Sequence, residues 1–187
     1  MRRKKLVRLS SSSSLRVGLL KSAINKLGLD GFLVMRATSI RYFTEFDGGV
    51  ALLVPSSGNA ILLVSRMNLE MAEQVAKNCE VRFFKRGGER RKAVSQLLVD
   101  SKLKEIGFDT LDAETYIQLK KKIVLEPKPD VVWDLRRVKG GREIRLIRRA
   151  AGISDRGMRV AAEVIKPRIR EYEVAAEIEH AMRKLGS

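Results

Sequence analysis

Apolar residues in the first two thirds of the chain occur in short continuous runs, separated by segments in which they recur every three or four positions. Short runs predict buried β-strands, and the longer period predicts amphipathic helices. The predicted strands are residues 31–35, 50–54, 60–64, 81–84 and 105–109, and the predicted helices are residues 15–27, 67–77, 90–103 and 113–122. Turn-forming residues at 55–59 join the second and third strands into a β-hairpin. This alternation predicts an α/β fold, a mixed β-sheet flanked by helices.

The pattern changes after Pro127 and Pro129, and we place the end of the first domain just beyond them, at about residue 135. Two helices are then predicted at residues 142–165 and 171–185, with Gly186 as the C-terminal cap. The apolar stripe of the first helix consists of Ile144, Ile147, Ala151, Met158, Ala161 and Ile165. Because nothing follows to cover these wide apolar faces, we expect the chain to stop within a second domain, residues 136–187.

Two segments are predicted to be flexible. Residues 1–14 are basic and rich in serine, which is typical of a disordered arm. Lys139, Gly140 and Gly141 separate the two predicted domains, and paired glycines give the backbone freedom to swing. We therefore expect these three residues to form an interdomain hinge.

The composition adds a strong positive charge, since 38 lysines and arginines face 22 acidic residues and give a formal net charge of +16. Such a charge favours contact with polyanions such as nucleic acids. It also has a simpler explanation in solubility, because acidic residues are interleaved with most of the basic ones. Charge-rich chains with few cysteines are common in thermophiles.

Targeting signals are not evident in the sequence. No apolar run reaches the roughly 20 residues that a membrane span needs, and the basic start is followed by serines rather than by the apolar segment of a secretory signal. The single cysteine, Cys79, cannot form an intramolecular disulfide. We therefore expect a cytoplasmic protein without a membrane anchor.

Candidate catalytic residues are few. The only histidine, His180, has Glu177 on the same helical face, but one histidine without converging ligands is not a metal site. Cys79 lacks a nearby base that would activate it as a nucleophile. The paired glycines lack the spacing of a phosphate-binding loop. We expect no catalytic residue and no metal site in this sequence.

The order of the segments resembles a known family. Residues 30–34 (Asp-Gly-Phe-Leu-Val), residues 39–46 (Ser-Ile-Arg-Tyr-Phe-Thr-Glu-Phe) and the hairpin at 51–64 are similar to the N-terminal domain of the creatinase/prolidase family. Residues 135–151 resemble the linker of that family, in which a lysine is followed four residues later by Glu-Ile and an Arg-Arg-Ala-Ala helix. Residues 167–187 resemble the segment that follows in its "pita-bread" metallopeptidase domain.

The sequence departs from the family pattern at four positions. Ser39 and Glu45 stand where the family usually has Asn and Gly, and Arg168 and Arg170 stand where it usually has Gly and Thr. The last two departures replace a conformationally permissive residue and a good N-cap, which puts the turn between the last two helices in question.

The resemblance implies a creatinase N-terminal, ribonuclease H-like fold in residues 15–135, then a linker and the opening helices of a truncated metallopeptidase domain. Family members hydrolyse the bond before proline with a divalent metal pair (Mn, Co or Zn). Their ligands, two Asp, one His and two Glu, all lie beyond the segment matched here. The resemblance thus implies a chain that is inactive alone, a homodimer, a missing catalytic domain as its partner, and Xaa-Pro peptides as substrates of the full enzyme.

Arg41, Tyr42 and Phe46 follow the first strand and are predicted to lie on a loop. In the resembling family this region lies near the active-site mouth, often that of a partner subunit, which implies a lid or dimer contact. The alternative is core packing for Tyr42 and Phe46, with a surface salt bridge for Arg41. Loops often carry function, yet aromatic residues mostly pack, so both interpretations stay open.

Two functions remain. The first is an N-terminal accessory domain of a Xaa-Pro dipeptidase that serves dimerisation and substrate access. The alternative is a non-enzymatic basic module that contacts nucleic acid or a protein partner, with basic clusters at residues 2–8, 82–92 and 136–149. No nucleic-acid-binding motif is present, and aromatic residues are only 5%, too few for an obvious base-stacking platform. We favour the first.

Overall fold

A computed structural model describes residues 13–84 and 90–187 of the chain. These residues form two compact units, one that ends at Val138 and one that runs from Lys139 to Ser187. The arm predicted at residues 1–14 lies outside the described residues except for Ser13 and Ser14, which are the first two residues of a helix.

The first unit is built on a six-stranded sheet. Its strands are β1 (Gly31–Val34), β2 (Gly49–Pro55), β3 (Ala60–Ser65), β4 (Cys79–Phe84), β5 (Glu105–Phe108) and β6 (Val124–Pro127), in the spatial order β4-β3-β2-β1-β5-β6. The pairs β1–β2 and β2–β3 are antiparallel, whereas β3–β4, β1–β5 and β5–β6 are parallel. The predicted mixed sheet and the β2–β3 hairpin are confirmed.

Helices cover both faces of this sheet. One face carries α1 (Ser13–Lys26), α2 (Ala37–Thr44), α3 (Leu69–Val75) and α6 (Pro129–Arg137), and the other carries α4 (Arg90–Asp100) and α5 (Ala113–Leu119). Each face has its own apolar core, because successive residues of a strand point to opposite sides. In β1, for example, Phe32 and Val34 belong to the first core and Leu33 to the second, and all three are fully buried.

Strand β6 and helix α6 were not predicted from the sequence. β6 has only four residues and joins the sheet by parallel pairing with β5. Pro127 is the last residue of this edge strand, a position where a missing N–H is tolerated. Pro129 is in the first turn of α6, where proline is favoured, and Asp130 and Arg136 lie at the ends that suit the helix dipole. The two prolines therefore mark a strand end and a helix start.

The second unit is a hairpin of two helices, α7 (Gly141–Val164) and α8 (Glu171–Lys184). The backbone N–H groups of Gly140 and Arg170 each donate to a glutamate Oε2 three residues later, Glu143 and Glu173, at 2.9 Å. Each glutamate satisfies a donor that the helix itself leaves free. Gly186 has φ of +89° just after α8, which confirms its predicted role at the helix end.

The apolar faces of this hairpin are only partly covered. Helices α7 and α8 approach closely at Gly157, where an added Cβ would lie 3.0 Å from Met182 Sδ. Of the apolar stripe on α7, Ala161 is buried, whereas Ile147 and Met158 are 54% and 71% exposed. Helix α8 contains no buried residue. Exposed apolar area of this kind marks a contact surface.

Candidate functional site

Arg41 and Tyr42 lie on helix α2, so their predicted position on a loop is wrong. The helix escaped prediction because it has only eight residues, is rich in β-branched and aromatic residues of low helix propensity, and has no side-chain hydrogen bond at its N-cap. Burial outweighs these deficits. Ile40 and Phe43, three positions apart on one face, are 1% and 0% exposed and pack in the first core.

Tyr42 is half-buried and joins α2 to two other helices. Its hydroxyl donates to the carbonyl of Leu135 in α6 at 3.0 Å. The Arg16 guanidinium of α1 lies 4.2 Å from the Tyr42 ring centroid and donates to its carbonyl oxygen at 2.9 Å. The ring also packs edge-on against Phe43, with the centroids 5.0 Å apart. These contacts fix Tyr42 in the packing of its own unit.

Phe46 is 2% exposed and belongs to the first core. Arg41, in contrast, has an exposed side chain and pairs with Asp47 at 3.2 Å. Between them Glu45 has φ of 60°, the left-handed region that glycine adopts most readily. The family's usual glycine at this position is therefore explained by the backbone. Arg41 is the one of the three predicted contact residues that is exposed, and the lid or dimer role stays a prediction.

An exposed aromatic cluster beside α2 was missed by the sequence analysis. Trp133 of α6 is 47% exposed, and the guanidinium carbons of Arg36 and Arg136 each lie 5.5 Å from a ring centroid of Trp133, within cation–π range. Arg136 also donates to the hydroxyls of Thr38 and Ser39, at 3.2 and 3.1 Å. Trp133 and Arg136 are three residues apart, a helical spacing that could have been recognised only if α6 itself had been predicted.

Asp109 holds the connection between β1 and α2. It follows β5, is 7% exposed, and accepts hydrogen bonds from the backbone N–H groups of Met35 at 2.8 Å and Arg36 at 3.3 Å. Burial raises the pKa of the Asp109 carboxyl, while these donors and the positive charge of Arg36 act in the opposite direction. The carboxylate therefore positions the N-terminal end of α2.

A cavity of about 380 Å³ lies beyond the C-terminal ends of β1 and β5. Most of its polar side chains form ion pairs or hydrogen bonds with neighbouring residues. Arg91 forms ion pairs with Asp112 and Glu114, and Asp112 accepts the N–H of Thr115 at 2.9 Å as the N-cap of α5. The pKa of Asp112 is lowered, mainly because its carboxylate accepts a hydrogen bond from the Thr115 hydroxyl. The lining residues are Met35, Arg90, Arg91, Val94, Thr110, Leu111, Asp112 and Thr115. Within this set the Thr115 hydroxyl donates to Asp112 Oδ2 at 2.7 Å, so both groups are engaged in the cap of α5.

Cys79 and His180 carry no catalytic arrangement. Burial raises the pKa of the Cys79 thiol to about 11, so the thiol stays protonated at neutral pH and is a poor nucleophile. His180 lies on α8 and lines a groove of about 410 Å³ together with Glu163 and Glu177. Across residues 13–84 and 90–187, no group of three or more His, Cys, Asp or Glu residues could hold a metal ion.

The predicted hinge lies between α6 and α7. Gly140 is the N-cap of α7 with an extended backbone, and Gly141 is the first helical residue. Neither glycine is among the residues with positive φ. Lys139 and Gly140 therefore lie between α6 and α7, Gly141 begins α7, and the hinge role of the three residues stays a prediction. Among the described helices, none combines the length and the apolar character that crossing a membrane would need.

Comparison with protein families identifies the class of this chain. Residues 16–138 match the model of the Creatinase/Prolidase N-terminal domain, and residues 145–187 match that of Metallopeptidase family M24. The first match covers more than half of the chain. The chain belongs to the creatinase/prolidase N-terminal domain family, and the resemblance read from its sequence is confirmed.

Individual relatives agree with this assignment. An uncharacterized peptidase of Bacillus subtilis, YqhT, is 30% identical over 173 residues, which cover 90% of this chain and 48% of the relative. The Xaa-Pro dipeptidase of Pyrococcus horikoshii is 29% identical over 170 residues, 88% of this chain and 46% of the relative. The solved structure of a Xaa-Pro dipeptidase from Bacillus anthracis superposes with a TM-score of 0.79 at 28% identity, covering 94% of this chain and 50% of that one.

The match covers only part of the length of each relative, and this limits what the comparisons say about the chain. The chain spans about half the length of the curated relatives it matches. Metallopeptidases of family M24 depend on metal, and the described residues of this chain do not supply a site for it. The comparisons give no support to the alternative, a non-enzymatic basic module that contacts nucleic acid or a protein partner.

Proposed function

We propose that this chain is the N-terminal accessory part of a Xaa-Pro dipeptidase, a proline-specific metallopeptidase, and that it is inactive alone. The observation that carries the proposal is the order of the two family matches, first the creatinase/prolidase N-terminal domain and then the start of the M24 family, over half the length of the relatives. The absence of a metal-ligand cluster among the described residues is compatible with it.

In this proposal the two parts of the chain have different tasks. The sheet domain, residues 15–135, serves dimerisation and substrate access, and residues 136–187 are the linker and opening helices of the metallopeptidase domain. The exposed apolar side chains of α7 support the second assignment, because Ile147 and Met158 would be covered by the remainder of such a domain. Lys139, Gly140 and Gly141 form the hinge between the two parts.

The divalent metal pair, Mn, Co or Zn, is in this proposal bound by the half of the relatives' length that this chain does not span. No step of the peptidase reaction is assigned to a residue described here. A cytoplasmic location is part of the proposal, supported by the single cysteine, Cys79, whose thiol is unpaired. The proposal also includes a homodimer, which the resemblance to the family implies. Arg41 is the proposed lid or dimer contact, because its side chain is exposed on α2 and pairs with Asp47 on the segment that joins α2 to β2.

The purified 187-residue chain is expected to show no metal-dependent cleavage of Xaa-Pro dipeptides, because hydrolysis needs a metal-bound nucleophile that the described residues cannot assemble. Release of proline is measured with Mn, Co and Zn in turn. The Xaa-Pro dipeptidase of Pyrococcus horikoshii serves as the active control in the same assay. Proline release by the chain alone, abolished by a chelator, would contradict the proposal.

A further inference from the structure

Strand β4 forms one edge of the sheet in the part of the chain that the structure describes. It pairs with β3 in parallel over six residues, from Cys79 to Phe84. In a parallel pair, alternate residues direct their N–H and C=O groups toward the neighbouring strand, so the other residues of β4 direct theirs away from the sheet. An edge strand of this length is a template for pairing with a further strand.

The side chains of β4 differ between its two faces. Cys79 and Val81 pack against the first core, and Phe83, on the same face, is 41% exposed beside the Arg66 guanidinium. Glu80 and Arg82 lie on the opposite face and pair with each other at 2.7 Å, with side chains about half exposed. Within the described residues this edge of the sheet therefore carries one negative and one positive charge, separated by a single residue.

The other edge of the sheet is closed to pairing. Strand β6 has only four residues, and it ends at Pro127, which has no N–H to donate. Glu126 on this strand pairs with Lys128 at 3.1 Å. Short edge strands that carry proline are a common protection against association. Strand β4 contains no proline, so the two edges are not equivalent.

We propose that β4 pairs with β4 of a second copy of this chain, antiparallel across a two-fold axis that passes beside Val81. In this register Val81 lies opposite the partner's Val81, Glu80 lies opposite the partner's Arg82, and Arg82 lies opposite the partner's Glu80. The two sheets then form one continuous sheet of twelve strands. This inference rests on the homodimer proposed above and identifies a surface that holds it.

The charges select this register over its neighbours. Moving the axis by one residue toward Glu80 places Glu80 opposite the partner's Glu80, and moving it toward Arg82 places two arginines opposite each other. Like charges directly opposite one another destabilise a strand pair, and opposite charges stabilise it. The alternation of one acidic and one basic residue is therefore self-complementary in a single antiparallel register, unlike the run of lysines that usually protects an edge.

Charge reversal tests the pairing in the full 187-residue chain. Glu80→Arg gives each edge two positive charges and Arg82→Glu gives it two negative charges, so each variant alone faces two repulsive pairs. Mixed together, the variants regain two attractive pairs. By sedimentation velocity we expect a dimer for the unchanged chain, a dissociation constant at least about ten-fold higher for each variant alone, and recovery of the dimer in the equimolar mixture.

The outcomes separate this inference from the proposed function. Single variants that stay as dimeric as the unchanged chain would overturn the β4 pairing and leave the homodimer standing on another surface. A monomeric unchanged chain would overturn both. Loss of the dimer without recovery in the mixture would overturn the register. None of these results depends on peptidase activity.

A cross-link provides a second test that does not rely on charge. Phe83→Cys places a thiol opposite the partner's Cys79, whereas residues 79 and 83 of one strand are about 13 Å apart, too far for an internal disulfide. Phe84→Cys, opposite the partner's Asn78, is the matched control. Oxidation is expected to give a covalent dimer with the first variant only. Equal cross-linking of both variants would overturn the register.

Discussion

Replacing Phe43 by alanine is expected to lower the free energy of unfolding by about 3–5 kcal/mol, the usual cost of removing a fully buried phenylalanine. Phe43 is 0% exposed in the first core and packs edge-on against Tyr42. Its loss leaves a cavity beneath α2 and loosens the helix that carries Arg41. Urea denaturation of the purified chain, followed by circular dichroism, measures the change.

Arg41→Ala is the matched control, two positions away on the same helix. Its side chain is 66% exposed, so we expect the free energy of unfolding to change by less than about 0.5 kcal/mol. The control also tests the proposed dimer contact. A smaller fraction of dimer, with an unchanged free energy of unfolding, would indicate contact through Arg41. Equal destabilisation by the two substitutions would contradict the placement of Phe43 in the core and of Arg41 at the surface.

Replacing Asp109 by alanine is expected to lower the free energy of unfolding by about 1–3 kcal/mol, because it leaves the buried N–H of Met35 without its acceptor and weakens the start of α2. Asp109→Asn keeps one acceptor oxygen for Met35 but turns an N–H₂ group toward the N–H of Arg36, so it is expected to cost less than alanine. Chemical denaturation of both variants at pH 7 measures the order.

The same position gives a pH dependence whose sign is fixed by burial. Because burial raises the pKa of Asp109 in the folded state, the carboxyl contributes most to stability below its unfolded pKa of about 3.9, and this contribution is lost as pH rises through the folded value. Compared with Asp109→Asn, the unchanged chain should therefore lose stability as the pH rises above about 3.9, the pKa of the unfolded carboxyl. A difference that grows in favour of the unchanged chain over this range would contradict the account.

The sheet could be read from the sequence where strands are buried on both sides. Residues 31–34 and 50–54 form continuous apolar runs because both of their faces lie in a core, and such runs are recognisable without knowledge of the fold. β6 gave no comparable signal, since its four residues are held by pairing with β5 rather than by their own pattern. Helix α2 was also not predicted, because the helix propensity of its residues is low. The helix forms because Phe43 is buried in the folded unit.

The functional region was harder to predict than the fold. Arg41 and Tyr42 were selected through the family resemblance, but their helical geometry and the tie from Tyr42 to Leu135 depend on contacts 93 residues apart in sequence. Asp109 and Trp133 were missed for the same reason. Asp109 follows a short strand and Trp133 lies on an unrecognised helix, and both acquire their roles only when Arg36, at the start of α2, lies against them.

The most direct test of the accessory-domain proposal is the sequence of the source gene beyond the codon for Ser187. Because the relatives are about twice as long as this chain, the proposal predicts that the reading frame continues for a similar length and encodes two Asp, one His and two Glu as metal ligands. A stop codon directly after Ser187 would contradict it, and would instead describe a free-standing domain of this family that acts without its own metal centre.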